Sequence, residues 1–109
     1  NYGSHQEIIR AVKSLALKVQ EGKLNPESID KKAISESLYT SNMSDPELLI
    51  RTSGEHRLSN FLLWQIAYTE IYMTDLFWPE FREQQLFDAI LDFQSRERRF
   101  GNVKKMIQV

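Results

Sequence analysis

The chain has 109 residues, of which 14 are Lys or Arg, 15 are Asp or Glu and 41% are hydrophobic; its formal net charge is -1 and it has no cysteine. A chain of this size buries about two thirds of its unfolded surface in one small core and not two, and its interleaved charges exclude the broad positive field that non-specific nucleic-acid binding needs. The lack of cysteine excludes disulfides, thiolate metal sites and a cysteine nucleophile, and with no apolar run near the ~18 residues of a membrane span and no leader pattern, the expectation is a cytoplasmic protein.

Asn1 to Gly3 reads as a turn, and an opening on Asn1 rather than Met suggests a piece of a longer chain. Ile8, Ile9, Val12, Leu15, Ala16 and Val19 then recur at three- and four-residue steps, which predicts a helix to about Gln20, ended by Gly22. Ser4 reads as its N-cap, with Glu7 completing a capping box. A second, weaker helix opens after Asn25 with Pro26 in its first turn and stops near Tyr39, burying Ile29, Ala33, Ile34 and Leu38. Ser41 to Pro46 is a loop. Leu48, Leu49 and Ile50 form a continuous apolar run, as in a strand of a parallel sheet buried on both faces, halting at Arg51.

After the polar stretch Arg51 to Arg57, the residues Leu58, Phe61, Leu62, Ile66 and Ala67 predict another helix to about Thr69. Ile71 to Met73 predicts a short strand, Asp75 to Pro79 a turn, and Leu86, Phe87, Ile90, Leu91 and Phe93 the face of a last helix ending near Gly101. Residues 102–109 read as a flexible tail. Helices alternating with short apolar strands indicate α/β architecture: part of an open, mostly parallel sheet flanked by helices, helix-rich as it stands. One or two strands cannot satisfy each other's backbone or cover their faces, so the remaining strands are expected from an absent N-terminal half, and residues 1–109 read as a single partial domain.

The stretch DPELLIRTSGEHRLSNFLLWQ carries the candidate chemistry. Ligands of open α/β sheets bind at the carboxyl ends of strands, and Arg51 stands at such an end, with Gly54, His56, Arg57 and Ser59 close behind. Two guanidinium forks and a hydroxyl suit phosphate or diphosphate oxygens. On the residues alone, Arg51 and Arg57 equally suit surface pairs with Glu55, Glu47 or Asp45, Ser59 a helix N-cap, and His56 simple solvation. Glu70, in apolar company, calls for a cation: either magnesium shared with substrate phosphates, or Arg51 or Arg57. Phe61, Trp64, Tyr68, Trp78 and Phe81 offer either an interface or core packing. Arg96, Arg98 and Arg99 place positive charge at a helix C-terminus, which the helix dipole favours. A Walker-type loop, a G-x-S-x-G elbow and a His/Cys cluster are absent from the sequence.

The run RTSGEHRLSNFLLWQIAYTEIYMTDLFWPEF resembles the C-terminal signature of the cis-prenyltransferases, most closely the bacterial undecaprenyl diphosphate synthases; NYGSHQEI resembles the family's upstream Asn-Tyr-Gly-Gly-Arg element and RERRFG its Arg-x-Gly end. The resemblance covers nearly the whole chain to Gly101. It implies condensation of isopentenyl diphosphate onto an allylic diphosphate such as farnesyl diphosphate, with magnesium and new cis double bonds. The product would be a long polyprenyl diphosphate such as undecaprenyl diphosphate, precursor of the lipid carrier of cell-wall synthesis, delivered to a membrane by an enzyme that is cytoplasmic or peripheral at the inner membrane face. It also implies that Arg51, Arg57 and Ser59, with His56 nearby and with Arg99 and Gly101, hold the diphosphate of isopentenyl diphosphate. Glu70 would bind the metal, and a helix containing Asn60 to Tyr68 would build a homodimer. Two departures stand out: Ser4 and His5 replace the family's Gly-Arg, and the Asp-Gly-Asn-Gly-Arg motif that binds the allylic diphosphate and supplies the catalytic aspartate is absent. The expectation is an isopentenyl diphosphate half-site, inactive alone; a non-catalytic partner subunit and a simple diphosphate-binding module are the alternatives.

Overall fold

In the computed structural model, which describes residues 2–96, the three-and-four spacing of the first segment forms helix α1, Ser4–Gln20. Gly22, at φ +74°, turns the chain out of it, with its N–H on the Val19 carbonyl at 3.0 Å. The expected capping box does not form. The N-cap is Gly3, without a side-chain cap, because both box residues are drawn into tertiary contacts: Ser4 Oγ accepts the Leu63 N–H at 2.9 Å, and the Glu7 carboxylate accepts the Tyr39 N–H at 2.7 Å.

The second expected helix is divided. Pro26–Ser28 is a single 3-10 turn capped by Asn25, and a new helix, α2 (Lys31–Ser37), starts where Asp30 Oδ1 accepts the Ala33 N–H at 2.9 Å. Two side-chain caps five residues apart start two short elements instead of one long one. α1, α2 and residues 58–67 make up one compact unit, with residues 2–45 and 58–67. Its core is Ala11, Leu15, Leu38 and Ile66, around which Ser4, Glu7 and Gln65 are also buried.

Residues 58–69 are turns, not the expected helix. The donors and acceptors that a helix would pair internally are taken elsewhere: the Asn60 carbonyl accepts the Ser4 N–H at 2.8 Å, and the Leu62 and Leu63 N–H groups go to Tyr2 Oη and Ser4 Oγ. Ser59, Asn60 and Leu62 adopt positive φ values of 56°, 60° and 47°, which end any helical run. Ser59 is therefore not a helix N-cap.

The second unit comprises residues 46–57 and 68–96. Strands β1 (Leu48–Arg51) and β2 (Glu70–Met73) pair in parallel, Leu48 opposite Glu70 and Arg51 opposite Met73. β1 is half-buried along its length rather than covered on both faces; among the described elements, α3 (Glu83–Ser95) packs on β2. A 3-10 turn at Trp78–Glu80 precedes α3, whose Ala89 is buried. α3 ends before the expected Gly101: Arg96 leaves helical geometry and sends its guanidinium to the Ile71 carbonyl at 2.6 Å. The architecture is α/β: among the described residues, a two-stranded parallel sheet with three α-helices. Arg98, Arg99, Gly101 and the expected tail at 102–109 lie outside the described residues.

Candidate functional site

Parallel pairing brings the C-terminal ends of β1 and β2 to one edge, and the loops that leave them are stitched together there. The Thr74 N–H donates to the Arg51 carbonyl at 2.9 Å, Ser53 N–H to the Leu76 carbonyl at 2.7 Å and Gly54 N–H to the Thr74 carbonyl at 2.9 Å. Ser53 and Gly54 both stand in the left-handed region, at φ 61° and 66°. Glycine suits position 54 on two counts, since its φ is positive and a Cβ there would come within 3.1 Å of Asp75 Oδ1.

This edge carries Arg51, Glu55, His56 and Arg57. Arg51 is half-buried, and its Nε is a buried donor without a partner. Among the described residues neither Arg51 nor Arg57 enters an ion pair. Glu55 acts on the backbone instead: Oε1 accepts the Arg57 N–H at 2.8 Å. That bond, joined by the His56 N–H and the charges of Arg51 and Arg57, holds its carboxyl below the usual carboxylate value. His56 Nδ1 faces the Met73 sulfur. Two guanidinium groups stand at this edge with the carboxylates of Glu55 and Asp75, and an unpaired buried donor favours an oxyanion.

Glu70 does not lie at this edge. It begins β2, three register steps from the Arg51–Met73 pair, roughly 10 Å along the strands. Its carboxylate meets Arg96, with Nη1 at 3.4 Å from Oε1. The expected ion pair thus forms with a cation 26 residues away rather than with Arg51 or Arg57. Among the described residues no group of three or more His, Cys, Asp or Glu side chains gathers around a metal position. Glu70 is one partly buried carboxylate, paired with Arg96, and suits magnesium as a single ligand completed by substrate phosphates rather than a protein-only cage.

Ser59 belongs to the other unit, where it precedes an unusual cap. Asn60 receives the first N–H groups of α1, Ser4 on its carbonyl and His5 on Oδ1, both at 2.8 Å. A Cβ on Gly3 would meet Asn60 Nδ2 at 2.9 Å, so the close approach needs glycine. Among the aromatic residues, Phe61 meets Tyr2 edge-on at 6.0 Å and Trp64 donates Nε1 to Ser35 Oγ at 3.1 Å. In the second unit Trp78 and Phe81 stack at 5.9 Å.

A buried network that the sequence reading missed holds the 58–67 turns. Glu7, 1% exposed, accepts from Tyr2 Oη and the Tyr39 N–H and from Gln65 Nε2 at 3.3 Å; that nitrogen also donates to Thr40 Oγ1 at 3.1 Å. Burial, and next the hydrogen bond to Glu7, raise the Tyr2 hydroxyl above its ordinary value. The signal was in the spacing: Glu7 stands four and eight residues before Ala11 and Leu15, on the buried face of α1.

Residues 1–101 match the sequence model of the family described as putative undecaprenyl diphosphate synthase. An isoprenyl transferase of Prochlorococcus marinus is 54% identical over 106 residues, which cover 97% of this chain and 39% of that protein. Lavandulyl diphosphate synthase from Lavandula x intermedia, solved in complex with dimethylallyl diphosphate, superposes with a TM-score of 0.88 at 42% identity, over 93% of this chain and 44% of that one. A probable undecaprenyl diphosphate synthase from Campylobacter jejuni gives 0.76 at 37% identity over the same shares. The chain thus spans about two fifths of the length of the curated relatives it matches.

Proposed function

Since the chain belongs to the family of putative undecaprenyl diphosphate synthases, we propose that it carries the isopentenyl diphosphate half-site of a cis-prenyltransferase. The observation that carries this reading is Arg51: a guanidinium at the C-terminal end of a parallel strand, with a buried Nε lacking a partner and no ion pair among the described residues. A buried donor left unpaired costs about 1–3 kcal/mol, and a diphosphate oxygen would supply its partner. Arg57, in the loop that Ser53 and Gly54 fasten to Leu76 and Thr74, adds the second cation.

In the reaction, the terminal methylene carbon of isopentenyl diphosphate bonds to C1 of an allylic diphosphate. The C1–O bond breaks, diphosphate departs with the electron pair, and a proton lost from the second carbon of isopentenyl diphosphate leaves a new cis double bond. Arg51 and Arg57 hold the diphosphate of isopentenyl diphosphate, and Ser59, His56, Arg99 and Gly101 complete that set. The work is binding and charge neutralisation, with no side-chain nucleophile. Glu70 would hold a magnesium ion, which when bound supplies Lewis-acid stabilisation of diphosphate oxygens. Support for a prenyl diphosphate as the ligand class comes from the lavender relative, whose structure holds dimethylallyl diphosphate. Farnesyl diphosphate as the allylic prenyl donor, and undecaprenyl diphosphate as product, belong to the same reading.

So do a homodimer built around the segment 60–68, where Phe61 and Tyr68 are 43% and 51% exposed, and a cytoplasmic enzyme whose product passes to a membrane. No helix among the described residues is long and apolar enough to cross one. The test is incubation of this chain with labelled isopentenyl diphosphate, farnesyl diphosphate and magnesium. A half-site binds the label and forms no extractable prenyl product; turnover by the chain alone would contradict the half-site reading, and absence of binding would contradict the site.

A further inference from the structure

Arg10, Ser14 and Lys18 recur at four-residue steps on α1 and so share one face. They form one wall of a groove of about 370 Å³; the other wall is the end of α2 and the turn beyond it, with Glu36, Ser37, Tyr39 and Ser41. All of these residues lie in the first unit and none belongs to the strand-edge site.

Arg10 is held but not neutralised. Its guanidinium carbon lies 4.8 Å from the centre of the Tyr39 ring, and Nη1 donates a long, 3.5 Å bond to the Ser37 carbonyl. Among the described residues it has no ion pair. A guanidinium fixed against an aromatic ring keeps its remaining N–H groups aimed outward in a fork, the geometry that receives tetrahedral oxyanions. Lys18 adds a second cation two turns on, and Ser14 and Ser41 add hydroxyl donors. The Ser37 hydroxyl is already committed to the Ala33 carbonyl at 2.9 Å. Glu36 opposes them at the rim, which leaves a net charge of +1 on the lining.

We propose that this groove binds a phosphate-type dianion, free or as the terminal group of a phosphate monoester, at a site separate from Arg51 and Arg57. The inference does not depend on the reading of the strand edge. It is tested by titrating inorganic phosphate, and separately glycerol 3-phosphate, into the chain at constant ionic strength while following the amide resonances of Ser14 and Ser41. Saturable shifts are expected, weakened roughly tenfold or more in Arg10→Ala, strengthened in Glu36→Gln and unchanged in Arg51→Ala. The ligand that binds more tightly identifies the source. Shifts that rise linearly without saturation, or that persist unaltered in Arg10→Ala, would mean an adventitious ion only and overturn the proposal.

Discussion

Arg96 clasps Glu70 across 25 residues of intervening chain: Nη1 lies 3.4 Å from the carboxylate and 2.6 Å from the neighbouring Ile71 carbonyl, while Nε and Nη2 hold Asp92 at 2.8 and 2.7 Å. One side chain thereby fastens the end of α3 to the start of β2 and neutralises the carboxylate proposed to hold magnesium. Both partners remain partly exposed, so solvent screens the pair. Arg96→Ala should therefore cost about 1 kcal/mol of stability, mostly from the lost bond to the carbonyl. It should also tighten magnesium binding in the presence of isopentenyl diphosphate, by freeing Glu70. Chemical denaturation and a magnesium titration check the two halves; weaker magnesium binding in the variant would count against Glu70 as ligand.

Glu7 is the polar centre of the first unit. Truncation to alanine strands the Tyr39 N–H, removes the acceptor of the Tyr2 hydroxyl and leaves Gln65 Nε2 with Thr40 Oγ1 alone, in a place where Gln65 Oε1 already lacks a partner. Glu7→Ala should destabilise by about 2–4 kcal/mol, and Glu7→Gln by distinctly less, because an amide oxygen still accepts. Urea unfolding curves with an unchanged slope measure both; equal losses would show that an amide oxygen cannot replace the carboxylate as acceptor.

Gly54 combines φ +66° with a neighbour 3.1 Å from where a Cβ would sit. Gly54→Ala should cost about 1 kcal/mol or more and loosen the loop that presents His56 and Arg57. Hydrogen exchange at the Ser53 and Gly54 amides, which bond Leu76 and Thr74, should accelerate; unchanged protection would remove the loop's dependence on glycine.

Glu55 titrates low because, first, the Arg57 N–H and then the His56 N–H and two guanidinium charges favour its ionised form. A carboxyl whose folded value lies below its unfolded one contributes order that is complete above the unfolded value and is lost as pH falls through the folded value. The Arg57 amide resonance, followed from neutral pH downward, should therefore shift with a midpoint below the ordinary glutamate value and vanish from that course in Glu55→Gln. A midpoint at or above the ordinary value would contradict the assignment.

What could be read from sequence was whatever local periodicity controls. α1 follows from its three-and-four spacing, and β1 and β2 from short apolar runs, with Arg51 at a strand end as expected. Long-range bonding decided the rest. Leu58 to Thr69 has a helical pattern, yet Ser4, 59 residues from Leu63, takes a donor that helix formation would use. Ser4 and Glu7 spell a capping box, but burial gives both oxygens other donors. The partner of Glu70 stands 26 residues onward in a helix end that no local rule connects to β2. At the site, the chemistry of Arg51 and Arg57 was visible in residue type and position, whereas the distance of Glu70 from Arg51 followed only from the register of the two strands.

Calorimetric titration of isopentenyl diphosphate into this chain, with and without magnesium and with Arg51→Ala as control, tests the proposed half-site most directly. Saturable binding that falls by roughly tenfold or more in Arg51→Ala is the expected result. Equal binding by the wild type and Arg51→Ala, or no binding by a chain whose circular dichroism shows it folded, would contradict a diphosphate site at the end of β1.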